Sequence, residues 1–340
     1  MGLGFAFTPE RMHFVKISVL YLAICVQVPF CSDAIAQQPW LPSETAAEIR
    51  EIIASVDDET DLTAIKLRLD QIVDPAINVE AGIATIERMA SEVRAMAGPN
   101  PSNVHLLVTL RQYLYDEGAW NGFQPFAYDH NDPLGEHLPN KLLPNYLETR
   151  EGNCVTMPFL MILIADRLGL DVTASTAPVH VFIRYTDDQS GRTINIEATS
   201  GGHPARDEWY RENMPITDLA VENGVYLATL SRQETVAVMA TVVMEHFIEE
   251  GRYEEAIAVG DVILQFYPNY AYVLAKIGTA FYYLLEREFH SQYPTPAEIP
   301  VERRDYYMFL ASNNHRAFET AYALGWQPEG GLSGEESPPE

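Results

Sequence analysis

Cys154 sits in Gly152-Asn153-Cys154-Val155-Thr156, at the head of an apolar run of helix length. A thiol there can attack a carbonyl carbon if its thiolate is supported, and a helix N-terminus offers free backbone N–H groups and a positive dipole end. The same N–H groups can hold the oxyanion of a tetrahedral intermediate. Such chemistry also needs an imidazole to take and return the proton, and a carboxylate or amide to orient that ring. His180, 26 residues on, and Glu197, 17 residues further, fit these two roles. Asn153 is a candidate for oxyanion support, Asn195 is the rival orienting group, and Arg150 could bind a substrate carboxylate. Each also has a structural reading: a buried cysteine packing as a small hydrophobe, Asn153 capping a helix, Arg150 in an ion pair.

The other two cysteines, Cys25 and Cys31, fall in a stretch that reads as a secretion signal. Arg11 and Lys16 precede an apolar segment from Val19 to Phe30, and Ala34-Ile35-Ala36 stands before Gln37. Cleavage after Ala36 leaves Cys154 as the single thiol of an exported chain, periplasmic or extracellular, and it can then form no internal disulfide. The apolar segment is too short for an ordinary transmembrane helix, so no stable membrane insertion is expected once the signal is removed. With 48 acidic against 22 basic residues the net charge is −26. That balance disfavours nucleic acid and anionic lipid as partners, and otherwise reads as a solvated acidic surface.

Several elements must position these residues. After the signal (1–36), a helical lead-in (37–117) contains amphipathic segments at Ala46 to Ser55, Leu62 to Val73, Ala81 to Met96 and Val104 to Tyr115, with apolar positions three or four apart. From Gly118 to Thr149 glycines and prolines break every long period, and such loops often line sites. Asp129, His130, Asp132 and His137 lie in this loop without a recognised ligand spacing, so they are expected to make turns and caps; no metal site and no cofactor is expected. Phe159 to Leu168 is apolar on nearly every side and closed by Gly169, the pattern of a central buried helix. Pro158 requires that helix to begin close to Cys154. Three strand-like pieces follow at Asp171 to Thr176, Val179 to Tyr185 and Arg192 to Thr199. A hairpin of the last two would bring the face of His180, Phe182 and Arg184 against that of Asn195, Glu197 and Thr199.

From 233 to 326 the texture is helical again. Gly251-Arg252-Tyr253-Glu254-Glu255-Ala256-Ile257, Pro268 and Ile277-Gly278-Thr279-Ala280-Phe281-Tyr282 resemble a tetratricopeptide unit. A second unit carries an insertion around Ser291 to Pro300 before its partner helix at Arg304 to Leu324. The tail, 327–340, is rich in Gly, Pro, Ser and Glu and reads as disordered.

Cysteine at a helix start, then a strand histidine, then a strand carboxylate is an order that resembles the core of the transglutaminase-like superfamily. The wider resemblance is to its bacterial SirB-related branch, in which such a core precedes tetratricopeptide repeats. It is carried by Phe126-Ala127-Tyr128-Asp129-His130-Asn131-Asp132-Pro133, by Tyr146-Leu147-Glu148-Thr149-Arg150-Glu151-Gly152-Asn153-Cys154, by Pro178-Val179-His180-Val181-Phe182-Ile183-Arg184-Tyr185 and by Asn195-Ile196-Glu197-Ala198-Thr199-Ser200-Gly201-Gly202. The resemblance implies an α+β fold: a transglutaminase-like core (118–232) with the helical lead-in and a small antiparallel sheet, then a tetratricopeptide-like helical region. It also implies a papain-like triad of Cys154, His180 and Glu197, with glutamate where the superfamily usually has aspartate. Many members of the branch lack the cysteine, and this chain retains it.

Two functions follow. One is an exported cysteine enzyme that forms a thioester at Cys154 from a peptide or protein amide, with hydrolysis favoured over crosslinking because water is the abundant acceptor outside the cytoplasm. The other is a non-catalytic module in which the core and the tetratricopeptide-like helices grip a protein partner.

Overall fold

The computed structural model describes residues 42–328. The stretch 1–36 that reads as a signal and all but the first residues of the tail lie outside the described residues. Four helices come first: α1 (Glu44–Ala54), α2 (Leu62–Val73), α3 (Val79–Ala97) and α4 (Asn103–Tyr115). Each starts where a short polar side chain takes up a free N–H: Ser43 accepts from Ala46, Asp61 from Thr63 and Ala64, Asn78 from Ala81, and Ser102 from His105.

The Pro- and Gly-rich stretch is more ordered than its composition suggests. It holds the two-residue strand β1 (Ala127–Tyr128), a turn of 3-10 helix at Leu138–Lys141, and helix α5 (Leu143–Thr149). Pro144 is the second residue of α5, where a missing N–H costs no intrahelical bond, so a residue that reads as a breaker serves as a starter. Strand β2 (Glu151–Gly152) pairs in parallel with β1, Tyr128 opposite Gly152.

Helix α6 (Thr156–Leu168) is buried along almost its whole length and ends at Gly169, whose φ of 77° suits a residue without Cβ. Its third residue is Pro158, so the proline again falls in the first turn. The four-stranded antiparallel sheet follows in the order β3 (Val172–Ala177), β4 (His180–Thr186), β5 (Thr193–Glu197) and β6 (His203–Ala205). Two details differ from the expected pattern. Strand β5 stops at Glu197, because Ala198–Ser200 turn into a 3-10 helix, so Thr199 does not continue the strand face. The short strand β6 adds a partner whose three residues, His203-Pro204-Ala205, give no alternating signal of their own.

Helices α7 (Asp207–Asn213) and α8 (Asp218–Glu222) lead to a helical run: α9 (Arg232–Met239), α10 (Thr241–Glu249), α11 (Tyr253–Phe266), α12 (Ala271–Leu285) and α13 (Arg304–Ala323). Successive helices from α10 onward lie against each other. Gly278 of α12 makes room for α13, since a Cβ there would come within 2.6 Å of the Phe318 ring. This run also closes on the beginning of the chain, with α1 against α11 and α2 against α10. A further core joins the sheet to the last helices, placing Phe182 and Tyr210 together with Ala271, Leu274 and Ala321. Residues 42–327 therefore form one unit, in which the lead-in and the C-terminal helices share a core with the segment between them. Among the described residues no helix is long and apolar enough to cross a membrane.

Candidate active site

Cys154 lies between β2 and α6, two residues beyond the β1–β2 pair. Gly152 is required there, since a Cβ would meet the buried Tyr146 ring at 2.4 Å. Asn153 fixes the start of α6: its Oδ1 accepts from the N–H groups of Val155 (3.0 Å) and Thr156 (3.1 Å), and its Nδ2 donates to the Asn140 carbonyl (2.9 Å). Asn140 belongs to a loop that α2 holds from behind. Lys66 and Asp70, a fully buried ion pair, reach that loop, with Lys66 Nζ donating to the Lys141 carbonyl (3.3 Å) and Asp70 Oδ2 accepting from Leu143 N–H (2.8 Å). A lead-in helix thus sets the position of the residue next to Cys154.

His180 opens β4, directly after the two-residue turn Pro178-Val179 that joins it to β3. Val179 has a φ of 46°, a conformation that costs a β-branched residue on the order of 1–2 kcal/mol. The strained residue is functional in its placement, for its carbonyl oxygen accepts from the Cys154 thiol at 3.4 Å. The thiol is only 2 % exposed.

Glu197 ends β5. In the β4–β5 ladder Arg184 is opposite Asn195, so one step further Glu197 comes level with Phe182 and meets His180 on the diagonal. The contact is direct, His180 Nε2 to Glu197 Oε2 at 2.8 Å, with both side chains almost wholly buried. The same Oε2 accepts from Tyr210 Oη (2.8 Å), while Oε1 accepts from Thr199 N–H (3.0 Å) and Thr199 Oγ1 (2.6 Å). Four donors thus surround one carboxylate.

Burial opposes charge on both partners, yet the pair overcomes it. Desolvation works against the His180 cation, but the Glu197 charge and the hydrogen bonds the cation can donate to Cys154 and Glu197 raise its pKa to about 10. Glu197 is likewise penalised by burial, and His180, Thr199 and Tyr210 together hold its pKa below the ordinary value. With Nε2 committed to Glu197, the other ring nitrogen is the one left for Cys154. This arrangement can take a proton from a thiol and keep it.

The remaining candidates have other work. Asn195 donates from Nδ2 to Asp207 Oδ1 (2.6 Å), which also accepts from Arg184 Nη2 (3.1 Å), so its amide is committed away from His180 and, of the two rivals, it is Glu197 that meets the ring. Asn153 is a helix cap; its oxygen uses the Val155 and Thr156 N–H groups, which removes them as free anion donors. Arg150 donates to the carbonyls of Asn121 (2.9 Å) and Gln124 and lies over the Phe126 ring, tying loop to loop where an ion pair or a substrate carboxylate was the expectation. Asp129 accepts from the N–H groups of Asn131 and Asp132, and Asp132 from those of Glu136 and His137, which are turn-forming bonds. No group of three or more potential metal ligands occurs among the described residues.

Sequence reasoning missed Tyr210 and Tyr128. Tyr210 stacks on Phe182 (4.3 Å between centroids) and reaches Glu197 from α7, an element without a strong local signal. Tyr128 stands in the quoted motif but carries no mark of a role until β1 pairs with β2 beside Cys154.

Residues 80–239 match a family model described as Transglutaminase-like superfamily, so the chain carries a domain of that superfamily there. The matched span runs from α3 through α9 and is wider than the core segment expected from the sequence. Among curated proteins, one described as UPF0162 protein, from Xylella fastidiosa strain 9a5c, is 24 % identical over 246 residues, covering 69 % of this chain and 82 % of the relative. A second of the same description, from Xylella fastidiosa strain Temecula1, is 23 % identical over the same length. No solved structure matches the chain.

Proposed function

We propose that this chain is a cysteine-dependent acyl-transfer enzyme acting on a peptide or protein amide. The observation that carries this reading is the 2.8 Å bond between His180 Nε2 and Glu197 Oε2, with the Cys154 thiol hydrogen-bonded to the carbonyl of Val179, the residue next to His180. In the reaction, Cys154 Sγ bonds to the amide carbon while His180 receives the thiol proton, and Glu197 stabilises the resulting imidazolium. Collapse of the tetrahedral intermediate breaks the C–N bond, and His180 returns its proton to the leaving amine. A water then attacks the thioester, giving its proton to His180; the acid departs and the thiol is restored. Hydrolysis is favoured over crosslinking because water is the abundant acceptor in the compartment assigned below.

The finer placement is in the SirB-related branch, with tetratricopeptide-like helices over 233–326 that offer a surface to a protein partner. It is supported by the order of the four quoted motifs and by the succession of α11, α12 and α13. Export rests on the charged, apolar and small-residue sequence of 1–36. N-terminal sequencing of the exported protein is expected to begin at Gln37, and retention of Met1 would replace a released protein with an anchored one.

The second reading, a non-catalytic binding module, is favoured by one observation: the thiol is nearly inaccessible and donates to Val179. A thiol-directed activity probe separates the two. Cys154 is expected to be labelled in the folded protein, and His180→Ala is expected to slow labelling about tenfold or more. Labelling only after unfolding, or at one rate in both proteins, would leave the binding module.

A further inference from the structure

We propose that the Tyr128 hydroxyl and the Cys154 backbone N–H are the two donors of an oxyanion hole, and that the Pro133 carbonyl oxygen fills that hole in this structure and holds the enzyme closed. The inference rests on the acyl-transfer reading above. Both donors converge on a single oxygen: Tyr128 Oη and Cys154 N each lie 3.3 Å from Pro133 O. The N–H of a nucleophilic residue is the donor nearest the carbonyl it attacks, so an oxygen bound to it stands where the substrate oxygen must go.

A second donor is needed, and the helix cannot provide it. The next two N–H groups, of Val155 and Thr156, are taken by Asn153 Oδ1, and that of Met157 by the Asn153 carbonyl (3.2 Å). Tyr128 is the group that faces the same point. It is placed there by the parallel β1–β2 pair, which sets Tyr128 opposite Gly152, two residues before the nucleophile. Its ring is steadied edge-on by His130 (5.2 Å). Burial, followed by the negative charge of Cys154 and of Glu197, raises the Tyr128 pKa, so the hydroxyl keeps its proton and donates. The distances of 3.3 Å are long for a neutral carbonyl, and an oxyanion would shorten them.

Pro133 itself is exposed, and the loop around it is shaped by turn bonds from its own Asp129 and Asp132, anchored at its ends where Asp129 N–H donates to the Gly152 carbonyl (2.7 Å) and Asp132 accepts from Asn140 Nδ2 (2.7 Å). Withdrawal of Pro133 would free both donors in one step.

Two chemistries at Cys154 of the full mature chain test this. Acetylation by p-nitrophenyl acetate passes through a tetrahedral oxyanion, whereas alkylation by iodoacetamide is a direct displacement at carbon that forms none. In Tyr128→Phe, which keeps the ring, acetylation of Cys154 is expected to fall about tenfold or more. Alkylation is expected to hold or to rise, since the variant loses one of the two bonds that seat Pro133. Unchanged acetylation in the variant, or an equal loss in both chemistries, would overturn the proposal. If Cys154 of the unaltered protein is alkylated but never acetylated, the acyl-transfer reading falls and the oxyanion hole with it, a result distinct from normal acetylation that ignores Tyr128.

Discussion

Glu197→Gln is expected to lower turnover at Cys154 by about a hundredfold or more while leaving the fold in place. The carboxylate accepts from His180, Tyr210 and twice from Thr199, and it is nearly excluded from solvent. An amide of the same shape has one acceptor oxygen and one donor nitrogen, so it cannot satisfy all four donors, and it brings no charge to stabilise imidazolium. Asn195→Ala is expected to cost far less, because that side chain bonds Asp207. The reverse ranking would transfer the third role to Asn195.

The same variant carries a pH signature. His180 has a folded-state pKa raised to about 10, so its contribution to stability is complete below its ordinary value of 6.5 and is lost as pH rises through about 10. Glu197 has a lowered folded-state pKa, so its contribution is present above its ordinary value of 4.5 and is lost as pH falls through the lowered one. The melting temperature of the unaltered protein should therefore decline between pH 6.5 and 10 more steeply than that of Glu197→Gln. Parallel curves would mean that the pair is not coupled in solution.

A chain ending at Arg232 is expected not to fold as a stable unit. It would lose the partners of α1 and α2, which pack on α11 and α10, and expose Ile49 and Ile53, both fully buried in the intact chain. It would also strip Ala271, Leu274 and Ala321 from the core that holds Phe182 and Tyr210, the support of the Glu197 carboxylate. Lys141 would lose Glu245, with which it forms a largely buried ion pair at 2.5 Å. Each large apolar side chain returned to water costs about 1.5–3 kcal/mol, and a few of them match the whole stability of an ordinary domain, about 5–15 kcal/mol. Thermal unfolding followed by near-UV circular dichroism checks this. A truncated chain that melts cooperatively at the temperature of the intact one would make the C-terminal helices a tethered, independent module.

Where a residue's role is local, it was legible in the sequence. The helices α1 to α4, the buried helix α6 with Gly169 at its end, and the strand runs that became β3 to β5 all depend on neighbours within a few positions, and periodicity reports those directly. The pairing of His180 with Glu197 was also within reach, because a two-residue alternation fixes which side chains share a sheet face. Tertiary structure decided the rest. Whether Asn153 caps or catalyses depends on Asn140, thirteen residues away, and on the Lys66–Asp70 pair of another helix that holds the loop of Asn140. Whether Asn195 orients the ring depends on Asp207, and whether Glu197 is fully engaged depends on Tyr210. Cys154 was marked as a nucleophile by its place before α6, but that its N–H is already occupied by Pro133 follows only from the β1–β2 pair, which brings two distant loops to the same oxygen. Local chemistry selects the residues that can react, whereas the donors that satisfy, orient or block them come from wherever the chain folds back.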